Sequence, residues 1–108
     1  MHGSTQTASG WSLLVPELEK RGHRTVCVSL PNDPDASGTQ YATVIANALP
    51  DSEQPPIIVA HSASGLFLPL VTDQCPVSRL VFLAAIIPQI GKSFLEQVRE
   101  NPDMLWPD

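Results

Sequence analysis

With 108 residues the chain is long enough for one small hydrophobic core and too short for two, so 1–108 is read as a single domain. Its formal net charge is −5, and Lys20, Arg21, Arg24, Arg79, Lys92 and Arg99 are scattered; no basic stripe exists for a phosphate backbone, which argues against a nucleic-acid partner. No apolar run approaches bilayer length and no charged leader precedes an apolar segment, so we expect no membrane partner and a cytoplasmic location.

In chain order, Trp11, Leu14, Val15 and Leu18 recur at helical spacing, and Gly22 supplies a stop. Thr25 to Leu30 alternates Val26, Val28 and Leu30 with smaller residues and predicts a strand. Tyr41, Val44, Ile45 and Ala48 predict a second helix, closed by Pro50. Ile57 to Ala60 is a β-branched apolar run that suits a strand buried on both faces. Leu66 to Val71 reads as a third helix with Pro69 as its weak point, because an interior proline costs roughly 3 kcal/mol unless it lies in the first turn. Leu80 to Ala85 predicts another strand, and Phe94, Leu95 and Val98 a last short helix that stops before Asn101 and Pro102.

Helices alternating with strands imply a parallel sheet with covering helices, so the class is α/β. Cys27 and Cys75 sit inside apolar stretches with no metal-binding spacing, and we expect reduced, buried thiols, no metal and no cofactor.

Ligands in such sheets bind beyond the carboxyl ends of the strands. The link there after Ile57 to Ala60 runs Ala60-His61-Ser62-Ala63-Ser64-Gly65. A serine on a sharp strand-to-helix turn is lifted clear of the sheet when the residues two positions either side are small, the requirement behind the G-x-S-x-G elbow. Ala60 and Ser64 replace both glycines but keep the small size. The simpler reading makes Ser62 a helix N-cap. Upstream, His2-Gly3-Ser4-Thr5 precedes the first helix, where an acyl-transfer enzyme needs a glycine-permitted turn and a free backbone N–H.

These segments, together with Gly10-Trp11, Ser29-Leu30-Pro31 and Leu80-Val81-Phe82-Leu83-Ala84-Ala85 followed by Pro88, resemble the α/β-hydrolase family over nearly the whole chain. Within it they look like bacterial relatives of the plant methylesterase and hydroxynitrile lyase branch. The resemblance implies part of a three-layer α/β/α fold: a parallel sheet remnant with helices, its core strands and helices in 1–87 and the start of a lid in 88–108. It implies a serine hydrolase acting on small-molecule esters, with Ser62 as nucleophile and the backbone N–H groups of Ser4 and Ala63 as oxyanion hole. His2, Gly3 and His61 then support the two turns, and His61 is a packed structural residue rather than the base.

In this family an acid and then a histidine follow the nucleophile. No histidine follows Ser62 here, and Asp73, Glu96, Glu100, Asp103 and Asp108 do not directly follow an apolar strand. Family members also run two or more strands before His-Gly, the last of them lying between the strands equivalent to Thr25–Leu30 and Ile57–Ala60. We therefore expect a fragment with a central gap, unless those two strands pair directly. It should be unstable alone and hydrolyse esters only at a trace rate.

Two other functions compete. Gly91-Lys92-Ser93 follows a strand and opens a helix as a P-loop does, but Ile86 stands where the cradle needs glycine and Pro88 removes a donor, so nucleotide binding is the weaker alternative. A non-catalytic small-ligand-binding protein on the same fold is the stronger one.

Overall fold

The computed structural model of the protein describes residues 1–3, 7–33 and 35–104. Helix α1 spans Leu14–Lys20, after a separate 3-10 turn at Ala8–Trp11 that interrupts the helix expected from Trp11. Gly22 ends it at φ 84°, a left-handed conformation that costs glycine little. The Gly22 N–H donates to Glu19 O at 3.0 Å and the His23 N–H to Leu18 O at 3.1 Å, the two bonds of a Schellman stop. Helix α2 spans Gly38–Ala48, with Ser37 and Gln40 closing a reciprocal capping box, and buries Ala42 and Ile45.

Strands β1 (Ile57–Ser62) and β2 (Arg79–Ala85) pair in parallel, with Ile58 opposite Leu80 and Ala60 opposite Phe82. They are joined through a 3-10 turn at Ala63–Phe67 and helix α3, Leu68–Val71. Pro69 explains that division: it falls at the start of α3, where its missing N–H would have no intrahelical acceptor in any case.

Three expectations are corrected. Thr25 to Leu30 is not a strand. Val28 and Leu30 still pack against the core at a two-residue period, but the segment has no ladder with β1, and among the described residues the sheet has two strands. Next, β1 is fully buried on one face only, with Ile58 and Ala60 buried, Val59 and His61 half-buried and Ile57 exposed. Finally, Cys27 is exposed rather than buried, because no neighbouring strand covers its segment; Cys75 is half-buried, and both thiols are free.

The core lies on the covered face, where Ile45 of α2 and Leu68 and Val71 of α3 meet Ile58 and Ala60. On the opposite face Val81 and Leu83 stay exposed. Met1 runs alongside β1: its amino group donates to Val59 O at 2.5 Å, and its carbonyl accepts from the His61 N–H at 3.1 Å. These two bonds flank Ala60 in the manner of a parallel ladder and bring the His2-Gly3 turn beside the end of β1.

Helix α4, Phe94–Glu100, opens with a second capping box, between Ser93 and Glu96. Gln97, which is buried, ties the approach to it: its Oε1 accepts from the Gln89 N–H at 3.0 Å and its Nε2 donates to Ile87 O at 3.1 Å. Hydrogen bonds from the Ser93 backbone N–H and then its hydroxyl hold the Glu96 carboxyl below its ordinary value of 4.5. A depressed carboxyl supports the folded helix above the unfolded value, and that support fades as pH falls through the folded one. Carboxyl NMR should therefore show Glu96 titrating below 4.5, and Ser93→Ala should move its midpoint upward.

Candidate active site

Ser62 ends β1 and opens the 3-10 turn. Its backbone sits at φ 57°, ψ −128°. Such a conformation costs a non-glycine residue on the order of 1–3 kcal/mol and persists only where its surroundings enforce it. The half-buried Ser62 side chain caps no N–H of the following turn, which removes the N-cap explanation for a serine here. The N–H of Ala63 is the first of that turn, among the donors that a helix leaves without an internal acceptor.

Three features enforce the strain. First, the register slips between His61 and Ser62: Leu83 faces His61, but Ala85 faces Ser62. Ala84 is thus the extra residue of a β-bulge, itself at φ 43°, and past it the Ile86 N–H donates to Ser62 O at 3.0 Å. Second, Gly65 presses against the end of β2, where a side-chain Cβ would lie 2.3 Å from Ile86 O and 3.0 Å from Ala85 Cβ. Third, the buried Ser64 hydroxyl accepts from the His61 N–H at 3.1 Å and donates to His61 O at 2.7 Å. The sequence marked Ser64 only as small; its hydroxyl, the packing of Gly65 and the bulge at Ala84 carry no pattern by which they would be found.

His2 is buried and structural. Its Nε2 accepts from the Leu30 N–H at 3.1 Å, so Nδ1 carries the proton and donates to Gly3 O at 2.8 Å. The ring therefore holds the His2-Gly3 turn against the 25–30 segment. Ser4, the expected oxyanion donor of that turn, lies outside the described residues. His61 sets its ring edge-on to Trp11, centroids 6.4 Å apart, and the two line a cavity of about 170 Å³ with Gly10 and Leu83. His23 is exposed just past the end of α1.

A larger cleft, about 600 Å³, opens where Leu66 and Phe67 of the 3-10 turn meet Tyr41 and the start of α4 at Ser93 to Leu95. Tyr41 stacks on Phe67 there, centroids 4.8 Å apart. Ser62 lines neither cavity. The acids after Ser62 are placed elsewhere: Asp73 is exposed after α3, Glu96 is in the capping box, Glu100 pairs with Lys92, and Asp103 is exposed. Asp108 is outside the described residues. Lys92 and Ser93 are thus engaged at α4, Lys92 in its pair with Glu100 and Ser93 as the N-cap.

The model of the alpha/beta hydrolase family matches residues 1–108. The chain belongs to that family. Comparison with curated proteins and with solved structures gave no match. Membership fits the parallel two-stranded sheet with its covering helices and gives the protein a hydrolase-type fold. No helix among the described residues of this family member is long and apolar enough to cross a membrane.

Proposed function

We propose that this family member is a serine hydrolase of small-molecule esters, with Ser62 as its nucleophile. One observation carries the reading: Ser62 occupies a strained backbone conformation at the end of a parallel strand, yet caps nothing with its hydroxyl. Family membership gives such strain a use, since the elbow of an α/β-hydrolase needs a sharp turn that lifts its serine clear of the strand end.

In the proposed reaction Ser62 Oγ attacks the ester carbonyl carbon and its proton passes to a base. The carbonyl oxygen becomes an oxyanion, met by the N–H of Ala63 and, from the His2-Gly3 turn, that of Ser4. The alkoxide then leaves with a proton, and water releases the acyl group. The resemblance of Phe82-Leu83-Ala84-Ala85 to the methylesterase branch favours a small ester, and residues 88–108 we assign to the start of a lid over it.

We assign the base to no histidine of this chain. No histidine follows Ser62, His2 has both ring nitrogens engaged, and His61 is packed against Trp11. Hydrolysis of a chromogenic short-chain ester, compared between the chain and Ser62→Ala, tests the reading. A slow rate that the substitution reduces to background is expected. An equal rate in the two proteins would refute Ser62 as nucleophile.

A further inference from the structure

Ser64 stands where the elbow motif has its second glycine, and its hydroxyl is more than a tolerated small group. It closes a ring around the strained residue by accepting from the N–H and donating to the carbonyl of the same residue, His61, on the strand side of Ser62. Its own backbone lies on the helix side. The ring therefore spans Ser62 and Ala63, the two residues to which the proposed reaction assigns nucleophile and oxyanion donor. Ser64 is 2 % exposed, so water does not compete for these bonds.

The same hydroxyl reaches the second turn. Ser64 Oγ lies 3.3 Å from Met1 O, which also accepts from the His61 N–H at 3.1 Å. Met1 leads directly into His2-Gly3, whose orientation is fixed by the bond from Leu30 to His2 Nε2. One buried hydroxyl thus sits between the elbow and Met1, which leads into the other turn. A glycine here would permit the same backbone but would supply neither bond.

We propose that Ser64 is a positioning residue for the Ser62 reaction, holding the elbow and the His2-Gly3 turn in a fixed relation so that both face one developing oxyanion. This rests on the reading of Ser62 as nucleophile. Because such positioning acts on the transition state rather than on initial substrate binding, its loss should lower kcat and leave KM nearly unchanged.

The test compares Ser62-dependent hydrolysis of a chromogenic short-chain ester by the wild-type chain, Ser64→Ala and Ser64→Cys, with Ser62→Ala subtracted as background and folding checked by circular dichroism. Ser64→Ala is expected to lose about 10- to 100-fold in kcat, with KM within about twofold, since sub-ångström misplacement near reacting atoms has effects of this order. Ser64→Cys keeps the size and a weaker donor and acceptor, and should recover part of the loss. If Ser64→Ala does not fold, Ser64→Cys decides alone, and a kcat reduced by about 3- to 10-fold at unchanged KM is expected. A folded Ser64→Ala, or failing that a folded Ser64→Cys, with wild-type kcat would overturn the proposal, as would a rise in KM that accounts for the whole loss. If Ser62→Ala retains the full wild-type rate, the nucleophile assignment itself falls, and the role of Ser64 with it.

Discussion

Gly65→Ala is expected to lose much of the protein's stability, more than the same change at Gly22, Gly38 or Gly91. The added Cβ would sit 2.3 Å from Ile86 O and 3.0 Å from Ala85 Cβ. Neither atom is the end of a flexible side chain, so the first turn after Ser62 and the end of β2 must separate. They are joined there by the bond from the Ile86 N–H to Ser62 O, which the separation would break. Overpacking of this kind costs about 1–3 kcal/mol, and the lost hydrogen bond adds about 1 kcal/mol. In a chain this small the combined loss lowers Tm by roughly 10–20 °C. Gly22→Ala is the comparison: nothing lies within 4 Å of its Cβ, only φ 84° opposes it, and about 1 kcal/mol is expected. Thermal melts of the two variants check the difference, and equal midpoints would contradict it.

The second large effect concerns rate. A serine hydroxyl is a weak nucleophile until a base takes its proton, and losing one member of a coupled triad costs nearly as much as losing all. Triad loss in a serine protease removes about 2 × 10⁶ in kcat, while an intact oxyanion hole retains roughly 10³–10⁴ over water. Here Ser62 keeps its strained turn and the Ala63 N–H, but His2 has both ring nitrogens engaged, His61 is packed against Trp11, and His23 is exposed past the end of α1. We therefore expect Ser62-dependent hydrolysis of an activated ester at no more than about 10⁴ times the water rate. Initial rates with wild type and Ser62→Ala give the number. Turnover above about 1 s⁻¹, within the ordinary enzyme range, would mean that a base exists among these residues.

How much of this was legible in the sequence depended on the range of the cause. The capping boxes are local yet emerge only with the structure, whereas the Gly22 stop and the period of α2, equally local, follow from a few neighbouring residues. Pro69 was recognised as a weak point for the same reason. Thr25 to Leu30 is no strand because strand status needs a partner: Val28 and Leu30 pack inward as their alternation requires, but the Leu30 N–H donates to a histidine ring rather than to a neighbouring strand. The apolarity of Ile57 to Ala60 likewise could not tell whether a second layer covers it. At the site, the sharp turn at Ser62 follows from its neighbours' size. The Gly65 contact and the Ala84 bulge join the turn after β1 to the end of β2, and no spacing rule encodes them; the Ser64 ring closes within three residues but depends on the bend at Ser62.

If the strain at Ser62 presents a nucleophile, a fluorophosphonate should react there, and peptide mass spectrometry of the treated intact chain locates the adduct. Slow labelling is expected to accumulate on Ser62 and to be absent from Ser62→Ala. Labelling spread over other serines, or none at Ser62 while the chain is folded, would contradict it.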